Sequence, residues 1–414
     1  MEGERKSGKE CRMNRKKDMR IVNGLVYRTS GFEREELYIN RDHICSEKEY
    51  RKNIQEEKKE DEVIDAEGMY VVPGLVDVHF HGCAGYDFCD GEIEAMEQIA
   101  SYEVRNGITT IVPATMTLST EMLQRIFNAA NRFAEEQEKK WKENPGEAAE
   151  QSYFAGIHME GPYISEKKKG AQNASYLHLP ERDHFDELNK ISGNRIKIVS
   201  LAPELEGAEK FIREESGNVV ISVAHTTADY ETARAAFEAG ASHVTHTYNA
   251  MPPFTHRAPG VIGAAFDKKD AMVELISDGI HIHPAVIRAT VSMFGTERVV
   301  FVSDSMMGTG LKDGIYQLGG QDVIKRGSLA ALQDGTIAGS VTNLYDCMCN
   351  AVRFGVPIAD AVRFASENAA LSAGLGAEYG HLREGAWADI LLIDQKMKLK
   401  KIIHRGIILK SSWK

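Results

Sequence analysis

Along most of this chain the apolar residues come in short runs, and the stretches between those runs are charged on one side only. Between residues 71 and 303 eight such runs read as buried strands: Val71-Val72-Pro73-Gly74-Leu75-Val76-Asp77-Val78, Thr109-Thr110-Ile111-Val112, Phe154-Ala155-Gly156-Ile157-His158, Ile196-Lys197-Ile198-Val199-Ser200-Leu201, Val219-Val220-Ile221-Ser222-Val223-Ala224, Ser242-His243-Val244-Thr245, Met272-Val273-Glu274-Leu275-Ile276 and Val299-Val300-Phe301-Val302-Ser303. Several intervals switch to helical spacing. Residues 92–106, 121–140 and 228–239 place apolar side chains three and four positions apart, and the last stops at Gly240 as a helix C-cap would. Eight strands alternating with helices predict an α/β fold, a (β/α)₈ TIM-like barrel whose chemistry lies at the C-terminal ends of the strands.

The two ends of the chain have a different texture. Ile21-Val22-Asn23-Gly24-Leu25-Val26-Tyr27 is strand-like around an Asn-Gly pair that favours a hairpin, and Val63-Ile64-Asp65-Ala66 and Tyr70-Val71-Val72 are strand-like again. The charged stretch 41–61 is expected to lie mostly at the surface. Near the other end, residues 387–393 and 401–409 have the same β character. Neither end has enough apolar surface to form a stable sheet alone. The division expected is therefore a barrel over residues 73–381 and a small discontinuous β-sandwich domain built from residues 19–72 and 382–414. Residues 1–18, crowded with Lys, Arg and Glu, are expected to form a disordered basic tail, with Met19 a candidate functional start. That tail has no apolar core for a signal peptide, and no later run reaches the length of a membrane helix, so a cytoplasmic protein without membrane contact is expected.

Composition narrows the partners. The 414 residues are 43% hydrophobic and carry a formal net charge of -11, which argues against nucleic acid as a partner and leaves any anionic substrate to a few local cations. The cysteines, Cys11, Cys45, Cys83, Cys89, Cys347 and Cys349, form no paired CxxC pattern and read as reduced, mostly structural thiols.

Candidate chemistry gathers where the strands end. His79 and His81 share one face of an extended chain, with Val78 and Phe80 on the other. Glu160 follows the third strand, His225 the fifth, His246 the sixth and Asp304 the eighth. Each alone has a plainer explanation: core histidines, a solvated loop acid, a helix N-cap at Asp304. Together, at one rim of one barrel, they read as a metal centre. A carboxylate and two imidazoles hold a divalent transition metal and leave a position for water, whose pKa the metal lowers. His79 and His81 would hold a second ion, and Asp304 would act as general base and acid. Arg257, in the Pro/Gly-bounded segment Phe254–Gly260, is either a phosphate-binding cation or an exposed structural arginine.

The opening Pro73-Gly74-Leu75-Val76-Asp77-Val78-His79-Phe80-His81-Gly82 and the closing Gly380–Asp389 segment resemble the metal-dependent amidohydrolase superfamily. Gly156-Ile157-His158-Met159-Glu160-Gly161-Pro162, Thr245-His246-Thr247-Tyr248-Asn249-Ala250-Met251-Pro252, Ser277-Asp278-Gly279-Ile280-His281 and Val302-Ser303-Asp304 resemble, within it, the branch that deacetylates phosphorylated acetamido sugars. The resemblance implies hydrolysis of the acetamide of N-acetylglucosamine 6-phosphate, with the 4-epimer or another amidohydrolase substrate as the alternative. A metal-free assembly protein is disfavoured because no ligand position is lost. It further implies one or two divalent ions (zinc or iron): Glu160, His225 and His246 hold the primary one, and the retained His79 and His81 favour an occupied second position. Asp304 would be the acid/base, and Asn249, the backbone at Ala250, Arg257 and His281 would bind the sugar phosphate. A homodimer supplying Arg257 across its interface is also implied. Some members carry a histidine where this chain has Gln172, which can donate a hydrogen bond to the acetamide carbonyl but carries no charge.

Overall fold

The computed structural model describes residues 17–57 and 61–410, so most of the basic tail, with Cys11, lies outside the described residues. Eight parallel strands form the barrel: β1 Leu75–Asp77, β2 Ile108–Ile111, β3 Ile157–Glu160, β4 Ile196–Leu201, β5 Val220–Val223, β6 His243–Val244, β7 Met272–Ile276 and β8 Val299–Val302. β1 pairs with β2, and β3 to β8 form one six-stranded sheet in chain order. Tyr153–Phe154 pairs with β2 before the chain steps over at Ala155-Gly156 to pair with β4 as β3. The seams close through Thr115 N–H to His158 O at 3.0 Å and Asp304 N–H to His79 O at 2.9 Å.

Val76, Val78, Val112, Ile198, Ile276, Val300 and Val302 form a buried cluster contributed from around the barrel, which fills its interior. Above it lies a polar layer joined by hydrogen bonds: His158 Nε2 to Ser200 Oγ at 2.8 Å, Ser200 Oγ to Thr245 Oγ1 at 2.7 Å, Ser222 Oγ to Thr245 Oγ1 at 2.6 Å and His243 Nδ1 to Ser222 Oγ at 3.0 Å. The outer shell is helical. Thr120–Glu143 is capped by Ser119 and buries Leu123, Ile126, Phe127, Ala130, Phe133, Ala134 and Trp141, one apolar stripe at helical spacing. Ile93–Arg105 and Tyr230–Ala239 also form where the periodicity puts them, the latter ending at Gly240 with φ 130°. No helix of the described residues is long and apolar enough to cross a membrane.

Strands from both ends of the chain share a six-stranded sheet, in the order Ile407–Ile408, Leu399–His404, Ile390–Asp394, Met69–Pro73, Leu25–Arg28, Gly31–Arg34. A second sheet holds His43–Cys45, Leu37–Asn40, Met19–Val22 and Glu62–Asp65. The Asn23-Gly24 pair makes no hairpin. Met19–Val22 has both edges occupied, by Leu37–Asn40 and Glu62–Asp65, so the chain crosses at Asn23 (φ 64°) into the other sheet. The hairpin is instead Leu25–Arg28 with Gly31–Arg34. The charged stretch expected to lie mostly at the surface contains the helix Glu47–Glu57 and buries Ile44, Cys45 and Tyr50.

Two departures bear on the site. Val78 packs with the interior valines and Phe80 with the outer core, so the strict alternation expected around the histidines breaks between Val78 and His79. The cause is local: Asp77 Oδ1 accepts from His79 N–H at 3.2 Å, a two-residue turn that ends the extended strand and directs His79 inward. The second departure is a three-stranded antiparallel flap after β8, made of Gly314–Leu318, Gln321–Arg326 and Leu329–Ala331. The Gln321 side chain donates to Ala171 O and ties the flap to the loop carrying Gln172.

Candidate metal centre

All six strand-end residues meet. Glu160, at the end of β3, is the hub. Its Oε1 lies 3.1 Å from His225 Nε2, 3.1 Å from His246 Nε2 and 3.5 Å from His79 Nε2. Its Oε2 lies 3.4 Å from His81 Nε2 and accepts from Gln172 Nε2 at 2.8 Å. Asp304 Oδ1 faces His81 Nε2 at 3.3 Å and His79 Nε2 at 3.7 Å. His225, His246 and Asp304 are held at φ 42°, 28° and 48°, a region costly for residues with a Cβ, and Tyr248 and Ala250 beside them share it. Gly161, at φ 78°, passes so close to Thr117 that a Cβ there would collide with its side chain.

The hydrogen bonds around the rings decide which nitrogens are free. His225 Nδ1 meets Lys168 O at 2.8 Å, an acceptor only, so the proton is on Nδ1 and Nε2 presents a lone pair. His79 Nδ1 meets Glu274 Oε2 at 2.8 Å, and its buried Nε2 has no hydrogen-bond partner. His225 Nε2 and His246 Nε2 are 3.0 Å apart. Bare ring nitrogens and carboxylate oxygens converging in this way fit a divalent cation. Two trios meet the condition, Glu160 with His225 and His246, and His79 with His81 and Glu160. A third trio, His79, His158 and Glu274, does not fit a cation, because His158 spends both ring nitrogens on Val78 O and Ser200 Oγ.

Electrostatics follow from burying acids among imidazoles. Burial opposes charge on Asp304, but His81, His79 and His246 outweigh it and hold the carboxyl at about 2. Glu160 is likewise kept well below its ordinary range against burial, by His79, His225 and His246. Burial also resists a charge on His79, yet Glu274, Glu160 and Asp304 raise it to about 10, so a cation entering there would displace the proton from Nε2.

Beside the cluster opens a cavity of about 410 Å³ lined by Gln172, Asn249, Ala250, His281, Asp304 and the flap residue Leu318. His281 is oriented by Asp278, whose Oδ2 accepts from Nδ1 at 2.7 Å. Gln172 is buried and bridges two groups, accepting from Thr117 N–H at 2.6 Å while donating to Glu160. Arg257 stands on the exposed segment 253–258 and is not among the lining residues, whereas Lys167 and Lys168 are. Lys168 Nζ donates to Met251 O at 3.2 Å. Sequence reasoning missed Lys168, Glu274 and the flap. A carboxylate in the middle of the otherwise apolar Met272–Ile276 run was the available signal for Glu274.

A barrel with this rim is the architecture of a metal-dependent hydrolase, and comparison with known proteins agrees: the amidohydrolase family profile matches residues 70–410. The chain belongs to the amidohydrolase family. It is 35% identical over 341 residues to the N-acetylglucosamine-6-phosphate deacetylase of Bacillus subtilis, covering 82% of this chain and 84% of that one. It is 32% identical over 346 residues to the N-acetylgalactosamine-6-phosphate deacetylase of Escherichia coli O157:H7, covering 83% and 89%. Among solved structures, a variant N-acetyl-D-glucosamine-6-phosphate deacetylase of Mycobacterium smegmatis in complex with N-acetyl-D-glucosamine-6-phosphate superposes with a TM-score of 0.83 at 28% identity, covering 95% of this chain and 99% of that one.

Proposed function

We propose that this protein hydrolyses the acetamide of N-acetylglucosamine 6-phosphate to glucosamine 6-phosphate and acetate. The observation that carries the reading is the meeting of Glu160 Oε1 with two imidazole nitrogens at 3.1 Å, beside an ionised Asp304 and a sugar-sized cavity. Glu160, His225 and His246 would hold one divalent ion, zinc or iron, and His79 and His81 a second that shares Glu160. Bound there, such ions supply the Lewis acidity that lowers the pKa of a water and polarises the amide carbonyl.

The chain's own groups do the rest. Asp304 takes the proton of the attacking water as oxygen adds to the carbonyl carbon. It delivers that proton to the amide nitrogen as the C–N bond breaks, releasing acetate and the amine. Gln172, with one oxygen fixed by Thr117 and its amide on Glu160, holds the hub carboxylate in place and adds no charge of its own. Asn249, the backbone at Ala250 and His281 bind the phosphorylated sugar. Arg257, exposed on its own chain, serves the phosphate site of a second copy in a homodimer.

The relative that acts on the galacto epimer favours a second reading, the same deacetylation of N-acetylgalactosamine 6-phosphate. The test is acetate release by the purified protein from both phosphorylated epimers and from N-acetylglucosamine itself, alongside metal content by mass spectrometry. Metal-dependent turnover of the phosphorylated gluco sugar, lost on chelation and restored by added ion, is the expected result. A protein without bound metal, or one indifferent to the phosphate, would refute the assignment.

A further inference from the structure

Glu274 lies on β7, inside the barrel and wholly shielded from solvent. It is too deep to be part of the cavity lining. Its Oε2 accepts two hydrogen bonds, from His79 Nδ1 at 2.8 Å and from the backbone N–H of His246 at 2.9 Å. Its Oε1 makes no hydrogen bond and faces His243 Nδ1 at 3.8 Å and His158 Nδ1 at 4.0 Å. One buried carboxylate thus touches a ligand of each proposed ion position: the ring of His79 and the main chain of His246. A charge so deep in a low-dielectric interior is costly unless it is paired, and its partners here are the groups whose orientation matters.

We propose that Glu274 is a positioning residue that fixes His79 as the Nδ1–H tautomer, so that Nε2 presents its lone pair to the second ion. The inference rests on the two-ion reading above. Both hydrogen bonds end on the same oxygen, so an apolar side chain of similar size, such as methionine, removes the acceptor from His79 Nδ1 and from the His246 N–H together, whereas glutamine can keep both with its one oxygen. Without an acceptor at Nδ1 the ring is free to carry its proton on Nε2, which removes the lone pair. Partners that orient a metal-ligating histidine in this way typically govern ion affinity by about 10- to 100-fold.

The test is a Co²⁺ titration of metal-depleted protein, followed by calorimetry and visible absorption, on wild type, Glu274→Met, Glu274→Gln, His79→Asn and the double variant Glu274→Met with His79→Asn. The expected result is two ions bound by wild type. In Glu274→Met the first should keep its affinity within about threefold while the second weakens about 10- to 100-fold, and Glu274→Gln, which keeps the acceptor, should stay closer to wild type than Glu274→Met. In the His79→Asn background Glu274→Met should have no further effect on the remaining ion. Two ions held at wild-type affinity in Glu274→Met, or both weakened alike, would overturn the proposal. A measurement on unmodified protein guards against a variant that fails to fold. In zinc-loaded protein with ¹⁵N-labelled histidine, the ring signal absent from His79→Asn should report an Nδ1–H tautomer, and an Nε2–H signal would overturn the assignment. If wild type takes up a single ion, the two-ion reading fails, and the tautomer still decides whether Glu274 orients His79.

Discussion

Replacing Asp304 with asparagine isolates the proton transfer from the rest of the site. Asparagine keeps the size of the side chain and an acceptor oxygen facing His81 and His79, which lie 3.3 and 3.7 Å from Asp304 Oδ1. What it removes is the charge and the basicity of a carboxylate that His81, His79 and His246 hold ionised at about 2 against burial. The primary trio of Glu160, His225 and His246 does not use Asp304, so the first ion should stay bound. Positioned general acid–base catalysis contributes about 10²- to 10⁴-fold, so at about 1.36 kcal/mol per decade the barrier should rise by about 3 to 5 kcal/mol. The assay is the initial rate of acetate release at saturating substrate, with metal content measured on the same sample. The expected outcome is a kcat about 10³-fold lower with KM changed little. A kcat within about tenfold of wild type would refute the role given to Asp304. Loss of metal in proportion to activity would show the residue to be a ligand rather than the proton carrier.

Three further outcomes follow from the geometry. Gln172→Ala leaves the buried Thr117 N–H without its acceptor and takes one of two contacts from Glu160 Oε2, so it should lower the stability of the fold by about 1 to 3 kcal/mol in denaturant titrations and reduce kcat as well. Lys168→Met removes a cavity-lining ammonium but not the Lys168 carbonyl that orients His225. It should raise KM for the phosphorylated sugar about tenfold in steady-state kinetics while metal content is unchanged. Glu103 is fully buried, and burial, helped by the Asp77 charge, raises its carboxyl from an ordinary 4.5 to about 8. The folded state therefore holds a proton that the unfolded state releases above about pH 4.5, and stability contributed by this group falls as pH rises from there until the loss is complete above about 8. Glu103→Gln should flatten that decline, read as a smaller drop in Tm between pH 6 and pH 9.

The barrel was legible because its strands are buried on both faces, so each reads as a compact apolar run, and because a metal rim needs residue types that seldom cluster by accident. Where tertiary pairing overrode local signals, the sequence misled. Asn23-Gly24 looks like a hairpin turn, yet both edges of the strand before it are already taken by partners distant in sequence. Around His79 the period-two pattern is broken by a side chain, Asp77, bonding the backbone two residues on, which a pattern count does not register. The flap had a readable cue: Gly319-Gly320, at φ 57° and 78°, joins two alternating runs whose ends pair as Leu318 with Gln321. Arg257 illustrates the remaining limit. A sequence places a guanidinium in a loop, but which molecule's cavity the loop serves depends on assembly.

The pairing of Met69–Pro73 with Ile390–Asp394 carries a consequence for biosynthesis. The strand that leads directly into the histidine pair is made early, while its antiparallel neighbour leaves the ribosome more than roughly three hundred residues later, tens of seconds at usual elongation rates. Throughout that interval an apolar edge stands open to other nascent chains. The strand that precedes the histidine pair is therefore paired on both sides only after translation has nearly finished, and yield in a heterologous host should depend on chaperones that shield the waiting edge.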